Sequence, residues 1–279
     1  MVRQWLLAAF AGLVLTSAAV GQEAAWRFKW AQGQVLKYRV EQSTAASEVV
    51  DGKKVETTSK TTSVKSWQVL DVDAAGAATL RLTMVSLRLE QTTPAGDSLV
   101  FDSSDPQKSH PQMREQLSKY VGQPLAVLRV DALGKLIEVK ESKYGPASRY
   151  ESELPFVITL PGSAVLAGQA WERNYAIALE PPQGTGEKYE ATQRYTCQTV
   201  RGTIATVALS TAVRDLPASL LDQAPLLQMQ PTGGALFNTE AGRVEKAVLR
   251  VDKELKGHQG EGSSYKFQST CVMQYVGGI

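Results

Sequence analysis

The sequence has few of the residues on which most metal proteins and nucleic-acid-binding proteins depend. Its 279 residues include two histidines and two cysteines. This excludes a histidine-rich metal site and leaves too few thiols for a cysteine cluster. Lys and Arg together number 30 against 28 for Asp and Glu, so the basic excess typical of nucleic-acid-binding proteins is also missing. We expect no metal, no cofactor and no nucleic-acid partner.

Long apolar runs are equally scarce. The one at Trp5–Val14 is shorter than the roughly 20 residues that a membrane-spanning helix needs. Arg3 precedes it, and residues 19–21 form a small-x-small cleavage site, so residues 1–21 are interpreted as a signal peptide. No second such run follows, and we expect no transmembrane segment after cleavage. The remaining chain is expected to be exported, either to the periplasm or outside the cell.

Motifs for catalysis are missing as well. The stretch 102–105, with Ser109 and His110, contains the residue types of a hydrolytic triad but no Gly-x-Ser-x-Gly elbow. It is interpreted as a polar turn that leads into a helix. We predict no catalytic, cofactor-binding or metal-binding residues, and a protein that is not an enzyme.

Two other motifs are interpreted as turns. Residues 71–76 begin like a calcium loop, but Ala75 and Leu82 stand where oxygen ligands are needed. The glycine-rich run 257–262 lacks the Lys-Ser/Thr pair of a phosphate loop. It is predicted to be a hairpin tip that exposes His258 to solvent.

What the sequence does contain is the alternation of apolar and polar residues that indicates β-strands. The predicted strands of the first half are 35–43, 63–72, 78–89, 125–130 and 135–139, with hairpin turns at 73–76 and 131–134 and a bulge near Met84 and Val85. One segment, 111–120, has helical spacing, with Pro111 in its first turn. The fold class is therefore mainly β, with one short helix.

Three colinear matches predict that the chain contains two copies of one β unit. Gly33-Gln34 followed by Tyr38 corresponds to Gly168-Gln169 followed by Tyr175, Thr79 corresponds to Thr206, and Gly134 to Gly242. The predicted units are residues 22–150 and 151–279, each an antiparallel curved sheet or half-barrel. Coincidence among ordinary hairpins is the alternative explanation.

The two cysteines lie on predicted strands in apolar surroundings. Because side chains alternate along a strand, Cys197 shares a face with Tyr195, and Cys271 shares a face with Phe267 and Met273. Exported proteins meet oxidising conditions, so a disulfide between Cys197 and Cys271 is predicted, with two buried thiols as the alternative.

Several short segments resemble an uncharacterised family of exported bacterial β-rich proteins. They are the opening Trp26–Tyr38, the turns at 72–76 and 130–135, and the triplet Phe101-Asp102-Ser103. The resemblance covers most of the chain after residue 21, and it implies no activity and no catalytic residues. The general pattern also resembles the curved sheets of periplasmic lipoprotein carriers, at the level of fold only.

These observations leave two hypotheses for function. In the first, the chain is a non-enzymatic structural or interaction module of the cell envelope, whose partner is another envelope protein. In the second, the curved sheet encloses an apolar cavity that holds a lipid or another amphiphile. A single short helix is too small to cover the apolar face of a long sheet, so either the sheet curls on itself or something else covers the remainder.

Overall fold

A computed structural model describes residues 25–152, 154–181 and 183–278. The predicted signal peptide, residues 1–21, lies outside the described residues. The strands in chain order are β1 (Val35–Val50), β2 (Lys53–Val72), β3 (Ala78–Thr92), β4 (Ser98–Asp102), β5 (Pro124–Val130), β6 (Leu136–Ser142), β7 (Ala170–Leu179), β8 (Glu187–Arg201), β9 (Ile204–Val213), β10 (Thr232–Asn238), β11 (Arg243–Lys256) and β12 (Ser264–Gly278).

All twelve strands belong to one curved antiparallel sheet that does not close. Its order is β6-β5-β3-β2-β1-β12-β11-β10-β9-β8-β7, with β4 pairing the far end of β3. The first and last strands of the chain, β1 and β12, pair along most of their length in the middle of the sheet. The prediction of a mainly β, antiparallel, curved architecture is confirmed.

The helices are short. They are α1 (Pro111–Leu117), which continues as a 3-10 turn at Ser118–Tyr120, α2 (Arg149–Ser152) and α3 (Leu220–Leu227). The helix predicted at 111–120 is therefore confirmed, whereas α3 was missed, because Pro225 interrupts its sequence. In the described part of the chain, no helix combines the length and apolar character needed to cross a membrane.

Two hairpin turns share one hydrogen-bonding pattern. In the turn between β2 and β3, Asp73 Oδ1 accepts bonds from the amides of Ala75 and Ala77, each at 2.9 Å. In the turn between β5 and β6, Asp131 Oδ1 accepts the equivalent bonds at 2.8 Å. Each turn ends at a glycine with φ of 82°. Both turns stand where alternation and the Asp-x-x-Gly pattern predict them.

The Gly-Gln pairs that introduce β1 and β7 also adopt the same local structure. The Gly33 amide donates to Val69 on β2 at 2.9 Å, and the Gly168 amide donates to Cys197 on β8 at 2.7 Å. Each following glutamine, Gln34 and Gln169, accepts the return bond on its carbonyl, at 2.8 and 2.9 Å. The duplication and the two-unit division remain predictions, and these matching bonds support them.

The inner face of the sheet, which carries Tyr38, Trp67 and Met273, holds the main core. Part of it is covered by the connector, which we define as residues 143–169 between β6 and β7 and of which residue 153 is not described. Its Phe156 is 1% exposed and its Ile158 and Leu160 are also buried among the strands. Further cover comes from the N-terminal segment, whose Trp26 and Phe28 are buried in the same core, and from α3, whose Leu226 and Leu227 pack against residues of β7 and β11.

Candidate ligand cavity

A cavity of about 320 Å³ remains between the inner face, the connector and the end of α3. Leu82 on β3 and Ile177 on β7 both line it, although these strands are eight positions apart in the sheet order. The curvature of the sheet therefore creates the cavity. The lining residues are Tyr38, Val40, Gln42, Lys65, Trp67, Leu82, Arg149, Tyr150, Leu154, Pro155, Val157, Tyr175, Ile177, Gln193, Gln228, Met229, Pro231, Leu249, Arg250, Val251, Ser269, Cys271 and Met273.

Polarity changes along the inner face on three neighbouring strands. On β1 the inward positions run from Tyr38 through Val40 to Gln42, and on β12 they run from Met273 through Cys271 to Ser269. On β2 the buried Trp67 is followed by Lys65. The cavity is thus apolar where it meets the main core and polar towards the other end of these strands.

Two buried tyrosines on the inner face make hydrogen bonds at or beside the cavity, which Tyr38 and Gln193 line. The Tyr38 hydroxyl donates to the Val244 carbonyl at 3.0 Å, and the Tyr195 hydroxyl bonds to Gln193 Oε1. Gln193 in turn donates to Thr211 Oγ1 at 3.2 Å. Burial raises the pKa of both Tyr38 and Tyr195, so both hydroxyls stay protonated and act as donors at neutral pH.

The sequence match that pairs Tyr38 with Tyr175 brings together two residues that both line this cavity. Tyr38 and Tyr175 each follow a Gly-Gln turn, and both line the cavity from opposite parts of the sheet. The guanidinium of Arg173 lies 4.0 Å from the centre of the Tyr175 ring. Burial also raises the pKa of Tyr175.

The charged residues among the described lining of the cavity are all cations. Lys65, Arg149 and Arg250 line it, and none of the described lining residues is Asp or Glu. Arg250 lies on β11 between the inward residues Leu249 and Val251. Together with Val248 it also borders a groove on the outer face. Lys65 faces inward, because it pairs with the inward Tyr38. Alternation along β2 places Lys65 on the inner face, but no sequence motif marked it as a site residue.

The connector adopts an unusual backbone where it meets the cavity. Val157 has φ of 71°, in the left-handed region that β-branched residues rarely adopt. Its neighbour Phe156 points into the main core, while Val157 itself lines the cavity. Such strain persists only where surrounding packing fixes the chain, here the aromatic contacts of Phe156.

The two cysteines lie on the inner face, as predicted, but they are not bonded to each other in the structure. Cys197 on β8 is fully buried in the main core, whereas Cys271 on β12 lines the cavity. Three strands, β9, β10 and β11, separate them in the sheet order. The alternation of side chains along each strand correctly placed both cysteines on the inner face. A disulfide also requires the two Cα atoms to lie within about 7 Å of each other, and that distance depends on the order of the strands.

The triad-like stretch forms the polar turn that was predicted. Asp102 accepts bonds from the Ser104 amide and hydroxyl at 2.8 and 2.6 Å, and Ser109 Oγ accepts from the Asp102 amide at 2.8 Å. His110 immediately precedes α1. These residues lie away from the cavity and hold the loop between β4 and α1. Within the described residues, no group of His, Cys, Asp and Glu has the arrangement of a metal site.

Asp102 gives this turn a testable pH dependence. Its bonds to Ser104 and to Arg88 lower its pKa from 3.8 to about 2. A lowered folded-state pKa stabilises the protein above the unfolded value, and that stability is lost as pH falls from about 4 towards 2. We expect Asp102→Asn to cost about 1 kcal/mol at pH 7 and almost nothing at pH 2, as measured by urea unfolding. An equal cost at both pH values would contradict this.

His258 differs from its prediction. The side chain is 1% exposed, and its Nε2 lies 2.9 Å from Glu48 Oε1 on β1. Run 257–262 does connect β11 to β12 as a hairpin tip. The prediction that His258 is exposed is therefore wrong, because the tip folds back against the neighbouring strand β1.

Comparison with known proteins supports the fold and gives no family. No protein-family model and no curated protein matches the chain. Among solved structures it is similar to lipovitellin, in a structure that concerns lipid–protein interactions in that protein, with a TM-score of 0.51 and 13% identity. That match covers 90% of this chain and 26% of the lipovitellin chain.

Two further structures match over most of their length at lower similarity. DynF, from the dynemicin biosynthesis pathway of Micromonospora chersina, has a TM-score of 0.23 and 6% identity over 96% of this chain and 94% of its own. An outer membrane channel from Pseudomonas putida F1 has a TM-score of 0.26 and 9% identity, over 92% and 98%. At these scores neither carries an argument. The chain thus has a fold similar to about a quarter of the lipovitellin chain, and the resemblance to exported β-rich proteins stays a prediction.

Proposed function

We propose that this chain is an exported, non-enzymatic protein that binds one single-chain amphiphile in the cavity of its curved sheet. The observation that carries the proposal is the cavity itself, which is lined by apolar side chains at one end and polar side chains at the other. Next to the cavity, the inner face packs with the connector and the N-terminal segment into the main core. A ligand with the same polarity gradient matches this space.

The volume favours a small ligand. At about 320 Å³ the cavity lies near the lower end of the roughly 300 to 1,000 Å³ of typical small-molecule sites. It therefore suits one acyl chain rather than a lipid with several chains. Transfer of each methylene from water into such surroundings contributes about 0.8 kcal/mol, so a medium-length chain supplies ample binding energy.

The fold is compatible with this function. Lipovitellin, whose structure concerns lipid–protein interactions, shares the fold over 90% of this chain. Because the match covers only 26% of lipovitellin, it supports a lipid-binding use of the sheet without identifying a ligand.

A cavity-filling substitution tests the proposal. Val40 is half-buried, lies on the inner face and lines the cavity, so Val40→Phe places a ring in the space of the ligand. We expect the affinity for dansylaminoundecanoic acid, a fluorescent fatty acid, to fall at least tenfold, as measured by fluorescence titration. The matched control is Val64→Phe on the adjacent strand β2, where Val64 pairs with the exposed Arg39 on the outer face.

The control should bind the probe like the unaltered protein. Equal affinity of all three proteins would show that the probe binds outside the cavity and would contradict the proposal. Failure of the folded, unaltered protein to bind the probe would favour the other hypothesis, a structural or interaction module.

A further inference from the structure

Lys65 occupies an unusual position for a lysine. On β2 it pairs with Tyr38 on one side and Met84 on the other, and its inward neighbours along the strand are Ser63 and Trp67. Ser63 and Trp67 are both buried, at 3% exposure each, and Lys65 itself is half-buried. The lysine stem therefore lies along an apolar wall of the cavity.

The ammonium of Lys65 has no counter-charge within the described part of the chain. It makes no ion pair or hydrogen bond there, in contrast to the outward cations Arg39 and Arg88, which pair with neighbouring glutamates. None of the described lining residues is a carboxylate. An ammonium held beside an apolar wall is stabilised by an anionic or hydrogen-bonding group close to it.

Lys65 is the first charged inward residue beyond the apolar end of the cavity, level with Tyr38 on β1 and one inward position before Val40 and Met273. Trp67 and Leu82, which pair with each other on β2 and β3, mark the apolar end, whereas Gln42 and Ser269 mark the polar end. Lys65 lies one inward position beyond Trp67, and its side chain is long enough to reach towards the polar end. A ligand whose tail lies against Trp67 and Leu82 would hold its head group near the Lys65 ammonium.

We propose that Lys65 recognises the anionic head group of the bound amphiphile, a carboxylate or a phosphate, by a charge-assisted hydrogen bond. This inference rests on the proposed function, since it specifies the ligand class of the same cavity. Arg149, from α2 on the connector, also lines the cavity. The ligand class is a single-chain anionic amphiphile such as a fatty acid or an alkyl phosphate.

Matched charged and neutral probes test the inference. The unaltered protein should bind dansylaminoundecanoic acid at least tenfold more tightly than its methyl ester, because only the acid carries the negative charge. Lys65→Gln should remove this preference by weakening the acid about tenfold and leaving the ester unchanged. Lys60→Gln is the control, because Lys60 lies on the outer face of the same strand, opposite Ser43 and Glu90.

Thermal unfolding separates recognition from a structural role. Lys65→Gln should unfold at the same temperature as the unaltered protein or higher, because it removes a half-buried charge that has no partner among the described residues. A retained preference for the acid in Lys65→Gln, or equal binding of acid and ester by the unaltered protein, would overturn the head-group inference while leaving the cavity proposal intact. Binding of neither probe by folded protein would overturn the proposed function itself.

Competition then identifies the head group. Dodecanoate and dodecyl phosphate carry the two anionic groups on the same chain, and dodecanol carries neither. Displacement of the acid probe by either anion at a lower concentration than dodecanol supports the inference, and the more effective anion identifies the head group. Equal displacement by dodecanol would contradict it.

Discussion

Replacing Phe156 by alanine should lower the free energy of unfolding by about 4 kcal/mol, the range expected for a fully buried phenylalanine. Phe156 is 1% exposed and its ring lies 5.3 to 5.7 Å from those of Phe28, Trp30, Tyr38 and Trp67. These partners come from the N-terminal segment and from two strands. Phe156 therefore fixes the connector onto the inner face, and its loss leaves a large void there.

Urea unfolding measures this cost, and Phe156→Leu is the matched control. Leucine keeps the side chain apolar and fills much of the volume, so its cost should stay near 1.5 kcal/mol. A cost below 1 kcal/mol for Phe156→Ala would mean that the connector does not pack on the sheet as described. The wall of the cavity that the connector forms would then lose its support.

The second large effect is expected at Gly134, in the turn between β5 and β6. A Cβ atom at this residue would lie 2.5 Å from Phe28 Cε2 and 2.9 Å from the Ile158 carbonyl oxygen. Its φ of 82° is also unfavourable for any residue with a side chain. Gly134→Ala should cost about 3 kcal/mol, from backbone strain and overpacking together.

Gly76 offers an internal control for the backbone part of this cost. It ends the equivalent turn with the same φ of 82°, but a Cβ there would lie 3.4 Å from Ala132 Cβ, which is an acceptable contact. Gly76→Ala should therefore cost about 1 kcal/mol. Equal costs in the two variants, from urea unfolding, would show that the Gly134 turn is not packed against Phe28 and the connector.

Local patterns in the sequence predicted local structure well. The Asp-x-x-Gly turns, the helix at 111–120 and the bulge at Met84 and Val85 all depend on neighbours in the chain, and the structure contains each of them. The sequence also placed Tyr38 and Tyr175 at equivalent positions after their Gly-Gln turns. The inward direction of both tyrosines follows from strand alternation alone.

Features that depend on distant parts of the chain were not predicted. The alternation of apolar and polar residues does not show the order of the strands, above all the pairing of β1 with β12. A disulfide between Cys197 and Cys271 was therefore predicted, although the two residues lie on strands that are not neighbours in the sheet. Strands β1 and β2 also extend through residues 44–50 and 53–62, where polar residues outnumber the apolar residues that mark a strand.

The sequence predicted an apolar cavity only as one of two general hypotheses for function. Its wall depends on the connector, a segment with little regular structure whose burial comes from Phe156, Ile158 and Leu160. Lys65 appeared in the sequence as one polar residue in a strand, and only the surrounding walls give its charge a role. The signal for Lys65 in the sequence was its charge at an inward position of a predicted strand.

Native mass spectrometry of the protein purified from its own host tests most directly whether the cavity binds a single-chain amphiphile. We expect a chain with one bound single-chain amphiphile, and loss of that added mass in the Val40→Phe variant expressed in the same host. Only the mass of the bare chain, together with no binding of dansylaminoundecanoic acid to the folded protein, would contradict it.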